Sequence, residues 1–163
     1  MRSIDIGGYS KAKRIVLDTS VLVEYILSRS PYRPKVVSLF DKAIGGDLKL
    51  FVNTITLSET LYVASRIYQA AGLENPNMEA LHFVEWIKGR AKIVNIDEDI
   101  AMRAGELKKQ LRIALPDCYV ISAAEAVDAR PLFKKPENEM MPVINTLEKL
   151  GILFLDKMRV DEL

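Results

Sequence analysis

Four acidic positions stand out for where they fall: Asp18, Glu59, Asp117 and the pair Glu137 and Glu139. Asp18 follows the short apolar run Ile15-Val16-Leu17. Thr19 and Ser20 come next, and a helical pattern of Val21, Leu22, Tyr25 and Ile26 begins at once. A buried strand that ends on a carboxylate and turns straight into a helix is how open α/β sheets place chemistry at the carboxyl ends of their strands. Glu59 lies just inside the helical stretch after a second strand-like run, so it belongs on the same edge of the sheet. Asp117 opens the most apolar helical stretch in the chain, and Glu137 and Glu139 follow another short strand. Carboxylates held close together repel and raise one another's pKa values. A divalent cation relieves that repulsion, and oxygen ligands with no nearby histidine favour Mg²⁺ or Mn²⁺ over zinc. Such a site suits hydrolysis of a phosphodiester, because the metal activates a water, polarises the phosphoryl oxygen and stabilises the leaving oxygen.

Each residue also has a plainer role open to it. Asp18 and Ser20 are good helix caps. Thr56-x-x-Glu59 matches a capping box, in which Glu59 reaches back to a backbone N–H. An acid in a helix's first turn, like Asp117, is favoured by the dipole by about 0.3–1 kcal/mol. Glu137 and Glu139 can be solvated loop residues. His82, the one histidine, lies between Leu81 and Phe83 and reads as structural or exposed. Phe83 and Trp86 read as core or dimer surface, and Lys108, Lys109 and Arg112 as a solvated helix end. Lys134 and Lys135 are the basic residues nearest the acids in this loop and are the first candidates for phosphate contacts.

The elements that must position these residues alternate between strand and helix. Strands are expected at 14–17, 48–52, 92–96 and 130–133, with a last one in Ile152-Leu153-Phe154-Leu155. Helices are expected at 19–28, at 36–44 before Gly45-Gly46, over a long stretch closed by Gly72, and at 78–88. Others follow behind Asp97 as a cap, over 118–127 and over 141–150, with 134–140 as a polar loop. Short apolar strands alternating with helices imply a three-layer α/β/α fold around a mostly parallel sheet of about four to five strands, unusually rich in helix.

At 163 residues and 49% hydrophobic the chain is expected to form one domain at 14–156, with a loose leader at 1–13 and a tail at 157–163. Neither a membrane span nor a signal peptide is expected. The single cysteine, Cys118, excludes an internal disulfide and a cysteine-based zinc site, and reads as a small buried hydrophobe. These features fit a reducing cytoplasm. A net charge of +1 means that any nucleic-acid surface is a local patch.

Leu17-Asp18-Thr19-Ser20-Val21-Leu22, then Leu57-Ser58-Glu59-Thr60-Leu61, then Pro116-Asp117-x-x-Val120-Ile121-Ser122-Ala123-Ala124 resemble the successive motifs of the PIN domain, in order and in spacing. The resemblance runs from Arg14 to about Asp156. It implies a small α/β/α fold and a Mg²⁺- or Mn²⁺-dependent endoribonuclease, in particular a VapC-type toxin of a toxin–antitoxin pair. It also implies homodimers, and a small antitoxin whose tail enters the acidic groove. By resemblance Asp18, Glu59 and Asp117 are metal ligands, and Ser20 is a hydroxyl that positions a water or a substrate phosphate. The chain departs from the family at the fourth acid. Where a TRDxDF-like stretch is common, it has Phe133-Lys134-Lys135-Pro136-Glu137-Asn138-Glu139, which puts Glu137 in the acidic position with Glu139 in reserve. That departure keeps two alternatives in view: a PIN-fold RNA-binding or scaffold protein without catalysis, and an RNA-processing nuclease without an antitoxin.

Overall fold

The computed structural model describes residues 13–159 and 161. The expected leader therefore lies outside the described residues except for Lys13, which already belongs to the first strand; of the tail, positions 160, 162 and 163 lie outside. Five strands form one parallel sheet: β1 Lys13–Leu17, β2 Leu48–Asn53, β3 Lys92–Val94, β4 Arg130–Phe133 and β5 Leu153–Phe154. Their order across the sheet is β3-β2-β1-β4-β5, so β1 is central, with β2 on one side and β4 on the other.

The apolar strands feed two cores because their side chains alternate across the pleat. Ile15, Leu17, Leu50, Val52 and Leu132 face one way. There they meet α1 Thr19–Leu22, α2 Arg33–Ile44, α3 Thr54–Ala70 and α4 Pro76–Lys88. Val16, Phe51, Val94, Phe133 and Phe154 face the other way. They meet α5 Glu98–Leu111, α6 Leu115–Ala126 and the short α7 Ile144–Lys149. Fully burying one such aliphatic side chain contributes about 1.5–3 kcal/mol, so a polar replacement at Val16 or Leu17 disrupts a core directly. The expected three-layer α/β/α architecture is what forms.

Several boundaries move for local reasons. The first helix stops short of residue 28: α1 tightens into a 3-10 turn at Val23–Tyr25. Arg33 Nε, at 2.9 Å, then takes the Tyr25 carbonyl that a continuing helix would have used. The helix expected at 118–127 starts earlier, at Leu115, because Pro116 fits a first turn. The last helix is split into a 3-10 turn at Asn138–Val143, which holds Pro142, and α7. The polar loop thus ends at Glu137. α2 closes at Gly46, whose φ of +86° favours glycine, while the Asp47 amide donates to the Lys42 carbonyl at 3.0 Å. Among the described residues no helix is long and apolar enough to cross a membrane.

Candidate metal centre

Strand order reverses at β1, and crevices at such a reversal, outside the carboxyl ends of the strands, are where open sheets bind ligands. Asp18 sits at this point. Its amide donates to the Leu132 carbonyl at 3.0 Å, which ties it to the end of β4. It also caps α1: one carboxylate oxygen accepts the Ser20 amide at 3.0 Å. The cap and the candidate ligand are therefore one residue. Asp18 is 7% exposed. Burial pushes its carboxyl above the usual carboxylate range, and hydrogen bonds from Ser20 pull it part of the way back.

Glu59 is not in a capping box. α3 is capped by Asn53, whose Oδ1 accepts the Thr56 amide at 2.8 Å. Thr56 is therefore the third residue of the helix, and Glu59 lies in the second turn, out of reach of the cap. The expectation placed the cap three residues too late because β2 runs on to Asn53 and the helix begins without a break. Glu59 Oε1 is buried and has no hydrogen-bond partner. Burial raises its pKa first, and the charge of Asp18 raises it further. Thr19 Oγ1 docks α1 on α3 by donating to the Thr56 carbonyl, and Thr60 Oγ1 donates to Thr19 Oγ1, both at 3.4 Å.

Asp117 stands in the first turn of α6 and is buried. Its Oδ2 has no partner. Its pKa is pushed up to about 8, chiefly by burial and then by Asp18, Glu137, Glu139 and Glu59 in that order. The other four acids identified in the sequence thus all act on Asp117. The tight group is Asp117, Glu137 and Glu139, with carboxylate oxygens within 4.8 Å of one another. Asp18 and Glu59 lie outside that group and couple to it through their charge. Glu137 and Glu139 are exposed but not equivalent. Glu139 Oε1 accepts the amide of Ala114, the residue that caps α6, at 2.7 Å. The side chain of Glu137 makes no such cap bond.

Among the described residues no lysine or arginine forms an ion pair with Asp18, Glu59 or Asp117. Two buried carboxylate oxygens without partners, in a field of five acids, are what a divalent cation with oxygen ligands would satisfy. The donor set fits Mg²⁺ or Mn²⁺.

The basic candidates separate. Lys134 Nζ lies 2.8 Å from Glu24 Oε1, and Glu24 is 3% exposed. A buried counter-charge thus already holds the Lys134 ammonium. Lys135 is exposed and forms no ion pair among the described residues. Ser20 Oγ accepts the Lys134 amide at 3.1 Å, so this hydroxyl links the end of β4 to the residue beside Asp18. His82 is exposed. Phe83 and Trp86 pack in an aromatic cluster with Tyr25 and Phe40, the Tyr25 and Trp86 rings 4.3 Å apart. Cys118 is buried, as expected. Two polar residues that matter here, Asn53 and Glu24, were missed. The signal for Glu24 was an acid set inside the apolar run Val21-Leu22-Val23-Glu24-Tyr25-Ile26.

Comparison with known proteins gives a consistent answer. No curated protein sequence matches the chain significantly. Solved structures with the same fold include VapBC2 from Rickettsia felis bound to a DNA fragment from their promoter, at 17% identity and a TM-score of 0.59 over 86% of this chain and 96% of that one. FitAcB from Neisseria gonorrhoeae matches at 19% identity and 0.59, over 88% of this chain and 99% of that one. VapC20 from Mycobacterium tuberculosis, a sarcin-ricin loop cleaving toxin, matches at 9% identity and 0.57, over 79% of this chain and 94% of that one. At these identities the likeness is one of fold. The PIN domain family model matches residues 15–135, well over half of the sequence, and the chain belongs to the PIN domain family.

Proposed function

We propose that this protein is a divalent-metal-dependent endoribonuclease and the toxin of a toxin–antitoxin pair. The observation that carries the reading is the pair of buried, partnerless carboxylate oxygens, on Glu59 and Asp117, within one acidic field at the switch point of the sheet. Asp18, Glu59, Asp117 and Glu137 would hold Mg²⁺ or Mn²⁺, with Glu139 in reserve because one of its oxygens is committed to Ala114. Bound there, the cation supplies Lewis acidity toward a phosphodiester and compensates the carboxylates. Ser20 orients Asp18, and Lys135, which is exposed, is the side chain we assign to a substrate phosphate. Burial of Asp18 and Asp117 keeps water from screening the site's charge.

Three further points belong to the same reading. RNA as substrate is supported by the VapC20 structure, described as that of a sarcin-ricin loop cleaving toxin. An antitoxin partner is supported by the VapBC and FitAcB folds, and a cationic segment of such a partner would compete for the carboxylates. A cytoplasmic homodimer spanning one domain at 14–156 is the form we assign, with the exposed apolar side chains of Tyr62, Met78 and Leu81 available to an interface.

Cleavage of structured RNAs, measured with Mg²⁺ or Mn²⁺ against EDTA, tests the reading. Cleavage is expected to require both the metal and Asp18, and Asp18→Asn is expected to abolish it in a protein that still folds. RNA binding that is independent of metal and unchanged by Asp18→Asn would instead favour a scaffold without catalysis.

A further inference from the structure

Glu24 and Lys134 form an ion pair outside the acidic site, with the carboxylate buried and the ammonium half-buried. The Glu24 carboxylate is satisfied on both oxygens: Oε1 accepts from Lys134 Nζ at 2.8 Å, and Oε2 accepts the Ser30 hydroxyl. Ser30 Oγ in turn accepts the Tyr32 amide at 3.0 Å, and the Lys134 ammonium lies 5.8 Å from the centre of the Tyr32 ring. The pair joins the 3-10 turn after α1 to the first residue beyond β4. Lys134 is held at its main chain as well. Its amide donates to Ser20 Oγ at 3.1 Å, and its carbonyl accepts the Asp156 amide at 2.9 Å. Ser20, through its own amide, holds an Asp18 carboxylate oxygen at 3.0 Å. From Lys134 the chain needs three more residues to reach Glu137.

A buried ion pair is a poor source of stability, because desolvation offsets most of the attraction, and apolar pairs of similar volume often serve as well. What an apolar pair cannot do is fix one end of a hydrogen-bonded chain in register. We propose that the Glu24–Lys134 pair is a positioning device for the metal centre: it pins Lys134 so that its main chain holds the Ser20 hydroxyl, and Ser20 holds the Asp18 carboxylate in its ligating orientation. The inference rests on the proposed metal centre. Glu24 and Lys134 are positioning residues and touch neither substrate nor metal.

The test is Mn²⁺ binding by calorimetry on the full chain, with melting followed in parallel. The double variant Glu24→Gln/Lys134→Met removes both charges together and keeps an acceptor for Ser30. It is expected to melt close to the wild type, yet to bind Mn²⁺ about 10–100-fold more weakly, the usual loss when a residue behind a ligand is removed. Glu24→Asp keeps both charges and shortens the reach; it too is expected to weaken Mn²⁺ binding. Glu125→Gln, which breaks the exposed Arg103–Glu125 pair, is expected to change neither quantity. Wild-type Mn²⁺ affinity in a folded double variant overturns the inference. If the double variant does not fold, wild-type affinity in Glu24→Asp overturns it. Failure of the wild type itself to bind Mn²⁺ overturns the metal centre first, a result distinct from either.

Discussion

Two acidic neighbourhoods lie side by side at the carboxyl edge of the sheet and differ in one respect. Around Glu24 every carboxylate oxygen has a partner: an ammonium on one, a hydroxyl on the other. Around Asp117 the partners are other acids, and oxygens of Asp117 and Glu59 are buried with none. The first arrangement is complete within the chain. The second finds no such partner within the described residues, and under the proposed reading a cation would complete it. Burial alone does not separate them, since Glu24 at 3% exposed is less accessible than Asp117 at 8%. What separates them is whether the polypeptide itself supplies the counter-charge.

The contrast can be broken most sharply at Asp117. Asp117→Asn is expected to abolish both Mn²⁺ binding and RNA cleavage, while the metal-free protein melts no lower than the wild type, because a repelled acid has been removed. A fall in melting temperature with binding intact would place Asp117 in the structural class.

The next largest effect is expected on the other side. Lys134→Met leaves Glu24 buried and uncompensated, which costs about 3–5 kcal/mol in a denaturant titration. A loss within the range of an exposed pair would mean that the Glu24 network is relaxed and dispensable.

The pH dependence sharpens the comparison further. Asp117 titrates near 8 in the folded chain against an ordinary 3.8, so the native state keeps a proton that the unfolded chain has released. Its contribution to metal-free stability is therefore present in acid and lost as pH rises through that interval. Mn²⁺ affinity is expected to run the opposite way, rising toward pH 8 by up to about tenfold per unit as one proton is displaced. Calorimetry in buffers of different ionisation enthalpy counts that proton, and a flat affinity would remove Asp117 from the ligand set.

The smallest effect separates helix capping from chemistry. Asn53→Ala removes the acceptor for the Thr56 amide, with an expected cost of about 1–2 kcal/mol and no loss of cleavage by the surviving folded fraction. Loss of cleavage at full stability would show that Asn53 also serves the site.

The legible parts of the sequence were those that depend on near neighbours. Ile15-Val16-Leu17 announced a two-faced strand, and Asp18 after it announced an edge; both follow from pleat geometry. Asp97 was readable as the cap of α5, and its side chain accepts the Ile100 amide at 2.9 Å. The start of α3 was misplaced because Asn53 and Thr56 are both acceptable caps, and only the length of β2 decides between them. Glu24 could be seen as an odd acid in an apolar run, but its partner lies 110 residues away, at a separation that no spacing rule covers. The same limit hid the difference between Glu137 and Glu139, which depends on the Ala114 amide lying against one of them.

The placement of β4 beside β1 has a consequence for synthesis. β1 emerges from the ribosome well before β4, so their pairing waits until Phe133 has appeared, and the tight acidic group also needs Glu137 and Glu139. A nascent chain therefore exposes Asp18 and Glu59 long before the strand and turn that complete their surroundings have been made. A translating ribosome holds only fragments of the site until Glu139 has been made, about 120 residues after Asp18.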